Sequence, residues 1–210
     1  MEFMMRIREK TSLLHAAAEH SGYIKRLVEG DATVEGYGEY LYNLHAVYEA
    51  IEDELEKCKD NEALKDFVTP ELYRTSQVLQ DVAYILNDKK ESLSYLASTA
   101  ACVSRIHEVA EKNPILVAAY AYTRFLADLF GGRTFPELLK TKYNLSEEGM
   151  HYYRYEELGD VKSYVMKYHS KLAGIRLSEQ GKENFLTEIN NAYIYNIAIS
   201  NELEMKLHKK

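Results

Sequence analysis

The sequence predicts an all-α fold, on three observations. Ten glycines and three prolines in 210 residues are too few for a β-sandwich or barrel, which needs a turn every few residues. No segment of useful length alternates apolar and polar residues as a half-buried strand does. Apolar residues instead recur every three or four positions, as on one face of a helix. One such stripe comprises Leu41, Leu44, Val47, Tyr48, Ile51 and Leu55.

Capping residues and prolines locate the helix ends. The residues suited to cap a helix N-terminus are Thr69, Asn113, Ser146, Asp160 and Ser178. Pro70 and Pro114 follow two of them at the first helical position, where a missing N–H is tolerated. We expect helices at residues 3–20, 33–57, 70–87, 91–112, 114–142 (broken in the middle), 147–153, 160–173 and 179–206. The connections are short, so neighbouring helices should pack antiparallel, and residues 1–210 should form a single domain.

The composition excludes several classes of protein. The formal net charge is −7 and the pI is about 5.6, so we expect no basic surface for nucleic acid. Cys58 and Cys102 are the only cysteines, too few for a disulfide framework or a cysteine zinc site, and we expect a cytoplasmic location. The longest apolar run, Ile115–Tyr122, is too short to span a bilayer. The charged N-terminus does not match a secretory signal.

His15 is the first candidate functional residue. It lies in a predicted helix among apolar and small neighbours, a face on which a broad flat ligand could lie against the backbone. Glu19 follows four residues later, so the two side chains share a helix face. A carboxylate beside a ligating imidazole orients the ring and raises its basicity. The alternative is an ordinary surface pair that stabilises the helix by a few tenths of a kcal/mol.

The second candidate is the segment from Tyr120 to Arg133. Its helical pattern contains the pair Gly131-Gly132, which would cost a helix interior about 2 kcal/mol relative to alanine. Paired glycines mark a kink and let a ligand approach the bare backbone. Arg124 and Asp128 precede them at four-residue spacing, so one face carries a cation, a carboxylate and naked backbone. The alternative is that Gly131 simply ends one helix and a new helix begins at Phe135-Pro136.

The other motifs in the sequence do not predict a functional site. Glu148 and His151 have the spacing of a di-iron ligand pair, but no second Glu-x-x-His motif occurs, and such sites need two. We therefore interpret them as a solvated pair. The sequence contains no Walker A motif, dinucleotide fingerprint or Gly-x-Ser-x-Gly elbow.

These residues, taken in order, resemble the haem oxygenase family from about Arg6 to Glu204. The resemblance depends on three places: the segment 10–19 with its His15-x-x-x-Glu19 pair, the segment 121–132 with its acid and paired glycines, and the Asn196-Ile197 region of the last helix. The second segment is the most specific of the three.

The resemblance implies an all-helical fold that holds haem between a proximal helix and a kinked distal helix. His15 matches the proximal ligand of the haem iron, and Glu19 matches its partner on the helix face. Gly131 and Gly132 match the distal glycines that let the helix backbone lie over the porphyrin.

The resemblance also assigns roles to polar residues. Asp128 matches the acid that holds a distal water network without ligating iron. Tyr48, Tyr122 and Arg124 match other members of that network, and Arg8 falls where the family has a basic residue facing a haem propionate.

The implied activity is oxidative cleavage of the haem porphyrin ring to biliverdin, carbon monoxide and ferrous iron. Haem is then both substrate and cofactor, and O2 is the oxidant. Electrons come from an external donor such as ferredoxin, flavodoxin or a flavoprotein reductase, because this chain has no flavin or nicotinamide fingerprint. Iron acquisition or supply of bile pigment would be the purpose.

The sequence departs from the family pattern in two ways, and these leave alternatives open. Ala127 stands where many relatives carry glycine, and Phe130 replaces a smaller residue. The family has basic residues on a late helix that hold the haem propionates, and their positions do not align cleanly with this sequence. The candidates are Lys162, Lys167, His169 and Lys171. The alternatives are a haem-binding or haem-sensing protein on the same fold without turnover, and a helical scaffold that binds no haem.

Overall fold

The structure of the protein, a computed structural model, describes residues 2–131 and 134–208. Over these residues the chain forms nine α-helices and no strand, which confirms the predicted fold class. The helices are α1 (Glu2–Glu19), α2 (Gly22–Glu29), α3 (Val34–Lys57), α4 (Thr75–Leu86), α5 (Ala97–Lys112), α6 (Val117–Gly131), α7 (Phe135–Tyr143), α8 (Val161–Ala173) and α9 (Glu179–Leu207). Short 3₁₀ turns lie between them at Lys65–Phe67, Pro70–Leu72, Asn87–Ser92, Pro114–Leu116, Glu147–Gly149 and His151–Tyr153.

Two of the predicted caps close the N-termini of the last two helices. The side chain of Asp160 accepts a hydrogen bond from the backbone N–H of Ser163, and that of Ser178 accepts one from Gly181. The bounds of α8 and α9 accordingly match the predicted helices to within a residue. A local signal suffices there because the capping side chain and the N–H groups that it satisfies are three residues apart.

The other predicted caps were wrong. None of the three side chains caps a helix: Thr69 and Ser146 each precede only a three-residue 3₁₀ turn, and Asn113 precedes the turn Pro114–Leu116, which leads directly into α6. The helix predicted from residue 70 begins at Thr75, because Tyr73 is extended and interrupts it. The carboxylate of Glu52 on α3 accepts hydrogen bonds from the backbone N–H groups of Arg74 and Thr75. A tertiary contact therefore sets the start of α4.

The expected helix over 114–142 is divided into two helices. Helix α6 ends at Gly131 and α7 begins at Phe135, and Gly132 lies outside the described residues. The predicted helix over 147–153 is instead two separate 3₁₀ turns. The helix predicted from residue 91 begins at Ala97, after a 3₁₀ turn.

Helix α2 is an element that the sequence reading did not predict. It is short, and Gly30 ends it in the left-handed conformation with φ 93°, as in a Schellman cap. Gly22 has φ +51°, and a Cβ there would lie 2.5 Å from the backbone of Ser200 on α9. Only glycine permits both this backbone conformation and this close approach.

Helices α3 and α9 organise the interior. α3 packs against α4, α5 and α6, whereas α9 packs against α1, α2, α5 and α6. Every residue of the predicted stripe from Leu41 to Leu55 is buried. Through these contacts the core fixes α1 and α6, the two helices that carry most of the candidate functional residues.

Over the described residues, no helix combines the length and the hydropathy that crossing a bilayer requires.

We predict that Gly22→Ala destabilises the fold much more than Gly159→Ala. Both glycines have positive φ, but a Cβ at Gly159 would have nothing within 4 Å. Gly159→Ala should therefore lower the free energy of unfolding only by the strain of a left-handed conformation, about 1 kcal/mol. Gly22→Ala adds to this strain a clash with the backbone of α9. Urea unfolding of both variants measures the difference, and equal losses would contradict the close approach of α2 to α9.

Candidate active site

A cavity of about 900 Å³ lies between α1 and α6, within the size range of small-molecule sites. Residues of α2, α3, α7, α8 and α9 also line it. The residues with predicted roles that line the cavity are Arg8, His15, Glu19, Tyr122, Arg124 and Asp128, together with the late-helix candidate His169. The tertiary structure therefore brings both sequence segments to one site.

His15 lies on the α1 wall of the cavity and is half exposed, with 50% of its side chain accessible. Its Nδ1 lies 3.8 Å from Oε2 of Glu19, as the four-residue helical spacing predicts. The imidazole ring meets the ring of Tyr193 on α9 edge to face, with the centroids 5.6 Å apart. A neutral imidazole in this position is available to ligate a metal carried by a ligand in the cavity.

The α6 wall of the cavity differs from the α1 wall because its polar side chains are buried. Arg124 and Asp128 lie one helical turn apart, and Nη2 of Arg124 is 3.4 Å from Oδ1 of Asp128. The two side chains are 10% and 6% exposed. Ala127 and Phe130 line the cavity on the same helix, and Gly131 ends it.

Two phenols complete the surroundings of Asp128. The Tyr48 hydroxyl donates to Oδ2 of Asp128, and the Tyr152 hydroxyl donates to Oδ1 at 2.5 Å. Nη2 of Arg124 donates to both phenolic oxygens, at 2.9 Å to Tyr48 and 3.0 Å to Tyr152. We call these four residues (Asp128, Arg124, Tyr48 and Tyr152) the Asp128 network.

The Asp128 network can hold one proton in more than one place. Each phenol has a single proton; with Asp128 ionised, both protons point at its carboxylate and Arg124 supplies a donor to each phenolic oxygen. The two phenolic oxygens are only 2.7 Å apart. If Asp128 gains a proton, it can donate to one phenol, which then donates to the other. The arrangement is therefore suited to store and hand on a proton without breaking apart.

Burial tunes the acidity of the same groups. The pKa of Asp128 is raised from its ordinary value because burial disfavours the carboxylate, against the opposing effects of Arg124 and the two phenols. Burial also raises the pKa of Tyr48 and of Tyr152 well above the usual value, so both remain neutral hydrogen-bond donors. Further charged or titratable groups near Asp128 are Arg74, Tyr40, Tyr153 and Tyr155.

Tyr122 lies in the cavity wall but apart from the Asp128 network. Residues six apart on a helix face different directions, and the Tyr122 ring instead lies 6.3 Å from the ring of His169 on α8. His169 also stacks on Phe130 at 6.5 Å. Burial lowers the pKa of His169.

The structure distinguishes among the late-helix candidates. His169 lines the cavity, whereas the other three candidates, Lys162, Lys167 and Lys171, are exposed on α8 and do not line it. The Nζ of Lys171 donates to the backbone oxygen of Asp66, which directs it elsewhere.

Tyr152 is a residue of the candidate site that the sequence does not predict. The pattern of its segment predicts one short helix, and nothing in it indicates that residue 152 meets residue 128. The predicted pair of Glu148 and His151 is not made; His151 hydrogen bonds to Asp81 instead. In the described part of the chain, no three metal-binding side chains of His, Cys, Asp or Glu lie together.

The chain matches known proteins over nearly its whole length. Residues 1–202 match the family model described as "Heme oxygenase". A haem oxygenase of Porphyra purpurea is 33% identical over 205 residues, which cover 97% of this chain and 87% of that protein.

Solved structures agree with the sequence match. The crystal structure of haem oxygenase-1 from the cyanobacterium Synechocystis sp. PCC6803 in complex with haem superposes with a TM-score of 0.92 at 29% identity, covering 99% of this chain and 94% of that one. The haem oxygenase structure from Leptospira interrogans gives a TM-score of 0.90 at 31% identity, covering 96% and 100%. With its helical fold, the cavity between α1 and α6 and these matches, the chain belongs to the haem oxygenase family.

Proposed function

We propose that the cavity between α1 and α6 is where this chain carries out the reaction of its family, the oxidative cleavage of haem to biliverdin, carbon monoxide and ferrous iron. One observation carries the proposal: an accessible imidazole, His15, and a buried acid held by phenols, Asp128, face the same cavity from opposite helices. The first can hold a metal and the second can hold a proton.

The residues present fit haem. The cavity of about 900 Å³ combines apolar walls with polar groups at several points, as porphyrin with its two carboxylates requires. The Nε of Arg124 is buried without a hydrogen-bond partner in the described residues, so this cavity-lining cation retains a donor for a ligand or an ordered water. When bound, haem supplies the iron at which O2 is activated.

On the α1 side we assign His15 as the ligand of the iron. We assign Glu19, whose Oε2 lies 3.8 Å from Nδ1 of His15, as the carboxylate that would orient the ligating imidazole. Arg8 lines the cavity on the same helix, and we assign its guanidinium to a haem carboxylate. We assign His169 of α8 to the same task, since it is the late-helix candidate that faces the cavity.

On the α6 side we assign Asp128 as the group that holds a proton and orders water. Its raised pKa brings it closer to the range in which an acid can both accept and release a proton. The Tyr48 hydroxyl donates to Oδ2 of the carboxylate and Nη2 of Arg124 donates to Oδ1, and these contacts hold it in place. Gly131 and Gly132 are assigned to the stretch of backbone that approaches the porphyrin, and Tyr122 to the cavity wall.

The reaction also needs O2 and electrons. We propose that ferredoxin, flavodoxin or a flavoprotein reductase delivers the electrons, as the family resemblance implies. Both cysteines are unpaired, which is compatible with a reducing, cytoplasmic location. Release of ferrous iron makes iron acquisition the physiological role that we propose.

The direct test is an aerobic absorption time course of the purified protein with one equivalent of haemin and an electron donor. We expect the Soret band to form and then to decay as a bile-pigment band grows. A Soret band that persists with each class of donor would show a haem binder without turnover and overturn the proposal. Absence of any bound-haem spectrum would overturn haem binding as well.

Asp128→Ala should leave haem binding intact and slow ring opening about a hundredfold, the usual effect of removing an acid–base group. Single-turnover absorption measurements check the rate, and haem titration checks the binding. The control is Asp53→Ala, the same change at an exposed position of α3, which should retain the wild-type rate. Equal rates in the two variants would contradict the role of Asp128.

His15→Ala should remove the residue that we assign as the iron ligand and therefore change the spectrum of the ferric haem complex. His107→Ala is the matched control, because His107 is similarly exposed, at 42% of its side chain against 50% for His15, and does not line the cavity. Its spectrum should equal that of the wild type. An unchanged spectrum in His15→Ala would refute the assignment of the iron ligand.

A further inference from the structure

The segment that carries Tyr152 has little regular structure of its own. Tyr152 lies in a three-residue 3₁₀ turn, His151–Tyr153, which Met150 separates from the 3₁₀ turn Glu147–Gly149 and which extended backbone follows at Arg154. A single turn of this kind does not hold a side chain rigidly. Contacts from elsewhere in the fold must therefore fix the position of the Tyr152 hydroxyl.

Asp81 of α4 supplies those contacts. Its carboxylate accepts hydrogen bonds from the backbone N–H of His151 and of Tyr152, both at 2.8 Å, and from Nδ1 of His151 at 2.9 Å. The Asp81 side chain is completely buried. Three donors on one buried carboxylate form a rigid attachment, since an unmet partner in such a place is expensive.

Arg74, just before α4, fixes the other end of the segment. Its Nη1 donates to the backbone oxygen of Arg154 at 2.5 Å, and its guanidinium lies 4.1 Å from the ring centroid of Tyr155. The turn is thus held on both sides of Tyr152 by residues of one neighbouring region of the fold. Tyr152 has little freedom to move away from Asp128.

The position of this turn determines whether Tyr152 can donate a hydrogen bond to Asp128 at the cavity. The Tyr152 hydroxyl lies 2.5 Å from Oδ1 of Asp128, and Tyr48 alone donates to Oδ2. A displacement of the turn by 1 Å would lengthen the first contact beyond a normal O–H···O distance, about 3 Å at most. Asp128 would then keep one phenolic donor instead of two.

We propose that Asp81 is a positioning residue for the haem oxygenase reaction: it fixes the turn of Tyr152, so that the Tyr152 hydroxyl donates to Asp128. Asp81 does not line the cavity and acts on Asp128 only through Tyr152. The inference rests on the proposed function in assigning Asp128 to proton handling. The chain of contacts itself is a property of the protein without haem.

The test is a double-mutant cycle of Asp81→Asn and Tyr152→Phe, read in the haem-free protein by carboxyl ¹³C NMR titration of Asp128. The hydrogen bond from Tyr152 lowers the pKa of Asp128, so its loss should raise that pKa. We expect each single variant to raise it, and the double variant to match Tyr152→Phe alone. A purely structural role for Asp81 would leave the pKa of Asp128 unchanged, or would change it equally in both backgrounds, and would overturn the proposal.

Glu202→Gln is the matched control. Glu202 is also a carboxylate that accepts two backbone N–H groups at a helix start, those of Ala97 and Ser98 of α5, and it does not line the cavity. This change should leave the pKa of Asp128 in place. If Asp81→Asn does not fold, Asp81→Glu replaces it: the longer side chain keeps the charge but moves the acceptor oxygens, and the same rise in the pKa of Asp128 is expected.

Ring-opening rates measured on the same variants distinguish a failure of the proposed function from a failure of the positioning role of Asp81. We expect the pH profile of ring opening to shift to higher pH in Asp81→Asn and not to shift further when Tyr152→Phe is added. If the NMR cycle shows the coupling but Asp128→Ala retains its rate, the proposed function fails and the positioning stands. If Asp128→Ala loses activity and Asp81→Asn leaves both the pKa and the profile unchanged, the positioning proposal alone fails.

Discussion

The buried contact between Arg124 and Asp128 is the interaction on which the rest of the site depends. Two opposite charges on one helix turn lie almost out of water, and removing one partner from such a pair typically costs about 3–5 kcal/mol. Their burial is tolerable because Tyr48 and Tyr152 donate to the carboxylate and accept from the guanidinium. The fold must therefore bring α3 and the turn of Tyr152 against α6, and the packing of α3 on α4 and α6 does so.

The two walls of the cavity have opposite physical character. On α1 the functional side chains are accessible and weakly restrained, as the 3.8 Å spacing of His15 and Glu19 indicates. On α6 they are buried, hydrogen bonded on several sides and shifted in acidity. The first wall is suited to receive a ligand from solvent, and the second is suited to hold a proton and hand it on. A haem-cleaving site needs both properties in one cavity.

The two departures from the family pattern on α6, Ala127 and Phe130, lie in the wall of the candidate site. Ala127 and Phe130 line the cavity, and Phe130 is 59% exposed and stacks on His169. The exposed ring belongs to the boundary of the cavity, where a ligand edge would contact it. Arg124, Asp128 and Tyr152 of the Asp128 network line the same cavity. Ala127 and Phe130 are therefore placed to contact a ligand in the cavity beside the Asp128 network.

The sequence by itself determined the fold class, the course of the long helices and the two segments that carry His15, Glu19, Arg124 and Asp128. These follow from periodicity, caps such as Asp160, and spacings of three or four residues, all of which are short-range. Only the tertiary structure decided the start of α4, where Glu52 supplies the cap, and the place of Tyr152, 24 residues from Asp128 in the chain. Such contacts join residues distant in sequence through the packing of separate helices, and no local pattern encodes them.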